Sequence, residues 1–194
     1  MIKHLIFTII IFSTLSFAMG HAGDHAIKND KHKRNHTAHA DLSSKKTHAV
    51  AVIIPTKGNN ISGQFDFYQE SKGTRVSAVV AGLTPNSQHG VHIHQYGDIS
   101  DETGLSAGGH YNPDGNPHGL PPSNIRHAGA FGNISADENG VAKFDFFDET
   151  ISITGNHNPI LGRSVVIHAN RDDGGQPSGN AGPRIGVGVI GLAK

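Results

Sequence analysis

Residues 89–97 read HGVHIHQYG, and in this stretch His92 and His94 lie two positions apart and alternate with apolar residues. Successive side chains of a β-strand point to opposite faces, so His92 and His94 share one face while Val91 and Ile93 share the other. The stretch therefore predicts a strand with one apolar face for a core and one face that carries two potential metal ligands.

The same two-residue alternation of apolar and polar side chains recurs on both sides of this strand. Short segments rich in β-branched and aromatic residues are separated by Gly, Asn, Pro and Ser, which is typical of strands joined by turns. The other predicted strands are HAVAVIIP, ISGQFDFYQE, TRVSAVVAGL, AFGNISA, VAKFDFFD, RSVVIHA and RIGVGVIGLA. No segment has an apolar stripe at helical spacing, so the pattern predicts an all-β antiparallel sandwich or barrel of about eight strands.

Two segments interrupt the strand pattern, and both are rich in Gly, Asn, Asp and Pro. They cover residues 96–126 and 170–183. A long irregular loop inside a compact domain is usually functional or disordered. Because histidines lie within or just before these segments, the sequence favours two functional loops.

Composition narrows the class of partner. The 194 residues suit one domain, and the 16 basic and 16 acidic residues balance, so we expect neither nucleic acid nor an anionic membrane as a partner. The chain has 15 histidines and no cysteine, which excludes thiolate metal sites and disulfides. Imidazole remains as an abundant metal ligand, and small substrates or metal ions are the expected partners.

The first 20 residues have the pattern of a secretory signal peptide. A lysine and a histidine precede an apolar run from Leu5 to Ala18, and small residues follow. This run is shorter than the roughly 20 residues that cross a bilayer, although a retained anchor is the alternative. We expect export to the periplasm or the extracellular space, with no membrane attachment after cleavage.

A polar segment, residues 21–47, separates the leader from the predicted domain at residues 48–194. It has almost no large apolar side chain, so burial cannot offset the entropy of ordering it, and we expect disorder. Five of its histidines have the low-complexity spacing of metal capture, with a merely soluble tail as the alternative. They are His21, His25, His32, His36 and His39.

Six histidines of the predicted domain could meet at one place. Two belong to the strand described first, three lie in or just after the long loop, and one ends the strand SVVIH. They are His92, His94, His110, His118, His127 and His168. Two others, His89 and His157, lie near strand ends, where a structural hydrogen bond is the expected role. The cluster predicts a metal site.

The domain resembles the copper, zinc superoxide dismutases over residues 48–194. The resemblance rests on five strings in matching order and spacing: GVHIHQYGD, SAGGHYNPDGNPHG, RHAGAFGN, VVIHANRDD and SGNAGPRIGVGVIGLA. It implies a flattened, eight-stranded antiparallel Greek-key β-barrel, related to an immunoglobulin-like sandwich, with the metals held outside it under two long loops. It also implies an oxidoreductase that converts superoxide to oxygen and hydrogen peroxide by one-electron cycling of copper.

The resemblance implies a role for each candidate residue. The copper ligands would be His92, His94, His110 and His168. The zinc ligands would be His110, His118 and His127, so that His110 bridges the two ions and carries a catalytic proton. Arg184 would guide superoxide to copper, and Asp172 would bond one histidine of each site. A homodimer is compatible with the resemblance and is left open.

Two departures from the family pattern stand out. The family has an aspartate as fourth zinc ligand where this chain has Ala130, so we expect a more open and weaker zinc site. The cysteines of the family's disulfide correspond to Gly104 and Val187. Metals and packing are then expected to hold the long loop to the barrel.

Two other interpretations remain open. A copper-binding or copper-delivery protein with a dismutase-like barrel would explain Ala130 and the His-rich tail, but it would need no cation that guides substrate, as Arg184 would. A structural extracellular domain with incidental histidines would bind no stoichiometric metal.

Overall fold

The computed structural model describes residues 48–194. The expected leader and the expected His-rich tail, with its five histidines, lie outside the described residues. Across the described part the backbone forms nine strands and one turn of 3₁₀ helix: β1 His48–Pro55, β2 Ser62–Gln69, β3 Thr74–Ala81, β4 Gln88–His94, the 3₁₀ turn Leu105–Ala107, β5 Ala130–Ser135, β6 Ala142–Asp148, β7 Ser164–His168, β8 Arg184–Val189 and β9 Gly191–Leu192. In this part no helix is long and apolar enough to span a membrane.

The eight longer strands form one antiparallel sheet that almost closes on itself. Their order is β5-β4-β7-β8-β1-β2-β3-β6, and the short β9 pairs with β1. The two ends of this order approach each other, because Ala136 and Ala142 form an isolated antiparallel bridge after β5 and at the start of β6. The connections from β3 to β4 and from β6 to β7 pass between non-adjacent strands, so the topology is a Greek key. The predicted Greek-key barrel is confirmed.

The core lies inside the barrel and follows the predicted alternation. Phe65 and Phe67 of β2 are fully buried, and Val91 and Ile93 of β4 belong to the same buried cluster. Burying one such side chain contributes about 1.5–3 kcal/mol to stability. Because these apolar side chains fix which face of β4 points inward, the alternate residues of that strand must point to the other face.

The two loops predicted at residues 96–126 and 170–183 correspond in the structure to residues 95–129, between β4 and β5, and residues 169–183, between β7 and β8. The first folds back along β4, where the Tyr111 N–H donates to the Ile93 carbonyl at 2.8 Å. The loop covers the outer face of β4, so His92 and His94 are buried although they point away from the core. The loops therefore shield from solvent the face of β4 that carries the two histidines.

Polar contacts fasten the long loop to the barrel at two points, and we refer to them together as the loop clasp. The Arg184 guanidinium donates to the carbonyls of Gly104 and Gly108. On the adjacent side the Lys57 ammonium pairs with the Glu102 carboxylate, and the Lys57 N–H donates to the Glu102 carbonyl at 2.7 Å. The clasp includes Gly104, where the resemblance would place one cysteine of the family's disulfide, and it adds hydrogen bonds to the packing expected from the sequence.

Candidate metal centre

Four histidines converge outside the barrel wall, and we refer to them as the first cluster. They come from β4, the long loop and the end of β7: His92, His94, His110 and His168. One ring nitrogen from each lies within 4.8 Å of the others. The rings of His92 and His110 stack with centroids 3.9 Å apart. The alternation of β4 and the bridge between His94 and His110 produce this convergence.

Backbone carbonyls orient two rings of the first cluster. The Nδ1–H of His94 donates to the Gly108 carbonyl at 2.8 Å, and that of His168 donates to the Gly182 carbonyl at 2.9 Å. A neutral imidazole has one protonated nitrogen, so each Nε2 keeps a free lone pair. These two Nε2 atoms face each other at 3.3 Å. Such outer hydrogen bonds fix the tautomer that a metal ligand needs.

The second cluster consists of His110, His118 and His127, whose ligand atoms also lie within 4.8 Å of one another. The Nδ1 atoms of His110 and His127 are 3.3 Å apart. His118 contributes a buried Nδ1 that has no hydrogen-bond partner. His110 belongs to both clusters, because its Nδ1 faces His127 and its Nε2 remains for the first cluster.

The Asp172 carboxylate lies between the two clusters and is fully buried. It accepts from the Nε2–H of His92 at 2.7 Å and from the Nε2–H of His118 at 2.9 Å. The Nδ1 atoms of both rings are therefore free of protons and point away from the carboxylate. The Asn133 side chain holds the backbone of Asp172, donating to its carbonyl at 2.9 Å and accepting from its N–H at 2.7 Å.

The ring nitrogens of the two clusters have the spacing of metal ligands, and two of the buried ones lack a hydrogen-bond partner. Two nitrogens bound at 2.0–2.1 Å to a tetrahedral ion lie about 3.3 Å apart. The Nε2 atoms of His94 and His168 have this separation, and so do the Nδ1 atoms of His110 and His127. The buried Nδ1 atoms of His92 and His118 have no hydrogen-bond partner, although buried polar atoms normally have one. The clusters therefore fit one ion each, held by imidazole donors.

Burial keeps these imidazoles neutral. Desolvation lowers the pKa values of His92, His94 and His110 from the usual value. For His168, burial and then the neighbouring His92 lower the pKa to about 4. Burial would raise the pKa of Asp172, but the hydrogen bonds from His92 and His118 outweigh it and lower that pKa to about 2. At neutral pH the site therefore holds neutral ligands around one carboxylate.

We expect the metal-free protein to lose stability as the pH falls from about 6.5 toward 4. Depressed histidine pKa values mean that the unfolded chain binds more protons than the folded one below its own pKa, 6.5. This contribution to stability is complete above that pKa and is lost as the pH falls toward the folded pKa. Urea unfolding of metal-free protein should give a lower midpoint at pH 5 than at pH 7.5.

The matched control for this experiment is His157→Gln, which changes an exposed histidine outside both clusters. It should shift the urea midpoints little and preserve their difference between the two pH values. Equal midpoints for the unchanged chain at pH 7.5 and pH 5 would contradict the assigned protonation states.

A cavity of about 900 Å³ opens onto the clusters. His94, His110 and His168 line it, as do Arg184 and Lys57. Burial lowers the pKa of Arg184 and the nearby Asp101 opposes that shift, and a guanidinium remains charged at neutral pH. A small anion entering the cavity therefore meets a fixed cation beside the first cluster.

The structure brings all eight predicted residues of the domain together: the six histidines, Arg184 and Asp172. Ala130 is fully buried and its N–H donates to the His127 carbonyl at 2.9 Å. His89 makes the structural hydrogen bonds expected of it, including one to the His168 carbonyl at 2.8 Å. The sequence analysis missed the orienting roles of Gly108 and Asn133, although both lie inside the strings that carry the resemblance.

A Greek-key barrel that carries two adjacent imidazole clusters defines a class of β-barrel metalloprotein with paired metal sites. Comparison with known proteins narrows this class. The sequence model described as copper/zinc superoxide dismutase matches residues 61–190. A Cu-Zn superoxide dismutase of Paramecium bursaria Chlorella virus 1 is 45% identical over 155 residues, which cover 76% of this chain and 81% of the relative. The chain belongs to the copper/zinc superoxide dismutase family.

Two further comparisons agree with this family. An extracellular Cu-Zn superoxide dismutase of Brugia pahangi is 37% identical over 158 residues, which cover 76% of this chain and 78% of the relative. The crystal structure of the clock protein EA4 aligns with a TM-score of 0.70 and 38% identity, covering 77% of this chain and 97% of that one. The predicted family is confirmed, and with it an oxidoreductase of the dismutase class, in a family whose cofactors are copper and zinc.

Proposed function

We propose that this chain converts two superoxide ions and two protons to oxygen and hydrogen peroxide at the first cluster. In this proposal the four imidazoles of the first cluster hold the redox-active copper, and His110, His118 and His127 form the position that the family uses for zinc. One observation carries the proposal. The Nδ1 atoms of His94 and His168 are hydrogen-bonded to backbone carbonyls, so the Nε2 atoms of these rings are free to converge with the other ligand nitrogens beside Arg184. Copper supplies a one-electron redox cycle when it is bound.

Arg184 has the task of receiving the substrate anion. Its guanidinium is held by the carbonyls of Gly104 and Gly108, so it is already ordered before an anion arrives. It can present donors to a diatomic anion, whereas lysine offers a point charge. Its positive charge also attracts superoxide from a distance, an effect that salt weakens.

His110 has the task of supplying a proton. Its Nδ1 faces His127, which leaves its Nε2 on the side of the first cluster and of the cavity. Burial, followed by the charges of neighbouring histidines, lowers the pKa of His110. Because its Nδ1 would be bound to the ion of the second cluster, its Nε2 is the atom that would carry the proton and donate it to the peroxide that leaves the cavity.

The second candidate function is copper binding or copper delivery without useful turnover, and Ala130 is the observation that favours it. A purified, copper-loaded sample should accelerate the loss of superoxide if the proposed function is right. Full copper occupancy at the first cluster without any faster loss of superoxide would favour copper binding or delivery as the function. A sample that binds no stoichiometric metal would contradict both functions.

We also propose that the mature protein is exported and that residues 1–20 are removed. The leader pattern in the sequence supports this, as does the similarity to an extracellular relative. The periplasm or the extracellular space would then hold a chain that consists of residues 21–47 and the barrel domain. Mass spectrometry of the protein recovered outside the cytoplasm should give a chain that begins near residue 21, and an intact leader would contradict the proposal.

A homodimer is the proposed assembly, formed through an exposed apolar patch. Tyr96, Leu161, Val189 and Leu192 all expose at least a third of their surface, and Gly97, next to Tyr96, packs closely against Gly162 and Val189. Contiguous exposed apolar surface is typical of protein interfaces. Sedimentation should give twice the mass of one chain, and Leu161→Glu should halve it. A monomer at micromolar concentration would contradict this assembly.

A further inference from the structure

The second cluster has an incomplete set of donors for zinc. Within residues 48–194, its candidate ligands are three imidazoles and no carboxylate. Asp172 does not complete the set, because it is bonded to the Nε2 of His118 and so lies on the outer side of that ring. Ala130, at the start of β5, offers only a methyl group. Its N–H and its carbonyl are already bonded, to His127 and Arg126.

Zinc and copper differ in how they tolerate three imidazoles. Structural zinc sites have four protein ligands, and a site with three protein ligands holds zinc only with water or another outside ligand in the fourth position. Copper binds more tightly than zinc to nitrogen donors in general, and copper(I) accepts fewer ligands. The donor count therefore moves the preference of the second cluster toward copper.

Charge acts in the same direction. The two clusters share one buried carboxylate, Asp172, whose oxygens already accept from His92 and His118. Placing two divalent ions next to each other beside a single carboxylate leaves excess positive charge in a buried region, which is costly. A monovalent copper ion in the second cluster reduces that excess by one unit.

We infer that the second cluster of this chain selects copper over zinc, so that the fully loaded protein holds two coppers that share His110. This inference rests on the proposed function, because it assumes that the first cluster also holds copper. Ala130 is the residue responsible, since it replaces the one donor that would give zinc a fourth ligand and would neutralise a charge.

The test compares the full chain with its Ala130→Asp variant, with Ala130→Asn as a control of similar size and no charge. Metal-free samples are equilibrated with equal concentrations of copper and zinc, and bound metals are counted by elemental analysis. All three chains have the same histidines in residues 21–47, so any metal bound there cancels in the comparison. The unchanged chain should hold about one more copper and one fewer zinc than Ala130→Asp.

The copper-to-zinc ratio should differ between these two chains by at least about ten-fold, since even the outer partners of ligands change metal affinity by 10–100-fold. Ala130→Asn should resemble the unchanged chain. If the buried carboxylate introduced by Ala130→Asp prevents folding, electron paramagnetic resonance of the unchanged chain decides. A monovalent copper in the second cluster gives no signal, and an oxidised one that shares His110 with the first copper is magnetically coupled to it. In either case the spin count should fall below the copper count.

One zinc retained per unchanged chain, together with an uncoupled copper signal, would overturn the inference and leave the proposed function intact. The proposed function fails separately if His94→Ala, which alters only the first cluster, does not lower the copper content.

Discussion

Replacing Asp172 by asparagine is expected to weaken metal binding at both clusters by about 10–100-fold. The carboxylate accepts hydrogen bonds from His92 and His118, one histidine of each cluster. An asparagine is uncharged, so both imidazoles lose the carboxylate that raises their basicity as ligands. Its amide has one oxygen and one NH2 group, so it can accept from one imidazole but must donate to the other. That second imidazole then carries its proton on Nδ1, the nitrogen that would otherwise bind metal.

The measurement is metal affinity, determined by competition with a chelator for copper and zinc separately. Asp173→Asn is the matched control, because the neighbouring carboxylate bonds Asn180 and Gly175 and touches neither cluster. The control should bind both metals as the unchanged chain does. If Asp172→Asn kept both metal affinities within about two-fold of those of the unchanged chain, the argument that the carboxylate orients the two imidazoles for metal binding would be wrong.

Replacing Arg184 by alanine is expected to lower kcat/KM for superoxide by about 10–100-fold, within the range by which charge steering raises association rates. The variant should also lose most of the dependence of kcat/KM on ionic strength, because the fixed cation beside the first cluster is gone. Stopped-flow decay of superoxide at several salt concentrations measures both effects, with copper content determined on the same samples.

Two further variants test whether Arg184 acts by attracting the substrate anion or by holding the loop in place. Arg184→Lys keeps the charge but loses the paired donors, so it should keep the salt dependence while turning over more slowly than the unchanged chain. Arg75→Ala removes an exposed cation that pairs with Asp145 on β6, away from the cavity, and should leave kcat/KM unchanged. Equal loss of activity in Arg75→Ala would mean that overall charge matters rather than this one guanidinium.

The strands and the six histidines were predictable because their signals are local. Period-two alternation in HGVHIHQYG assigns Val91 and Ile93 to the core and the two imidazoles to the outer face, and the structure has that arrangement. The glycine-rich loops could be recognised from composition alone. Which histidines share an ion came from the resemblance, because spacing along a chain does not specify how a 35-residue loop folds back.

Apart from the Asp172 carboxylate, whose role the resemblance implied, the contacts that orient the ligands were not predictable. The Gly108 carbonyl accepts from both the His94 ring and the Arg184 guanidinium, so one backbone oxygen couples a candidate metal ligand to the substrate-guiding cation. A glycine in a sequence carries no signal for such a role, since the accepting atom belongs to the backbone. Asn133 was missed for a related reason: its amide pairs with the backbone of a residue 39 positions away.

The loop clasp has a consequence for how this protein matures. A disulfide requires an oxidant to form and yields to a reductant, whereas the contacts of Arg184 and Lys57 with the loop form as soon as the chain folds. A chain without cysteine therefore needs no thiol oxidase or disulfide isomerase on its way to the active state. A reductant without thiols, tris(2-carboxyethyl)phosphine, should accordingly leave the fold of the metal-free chain unchanged.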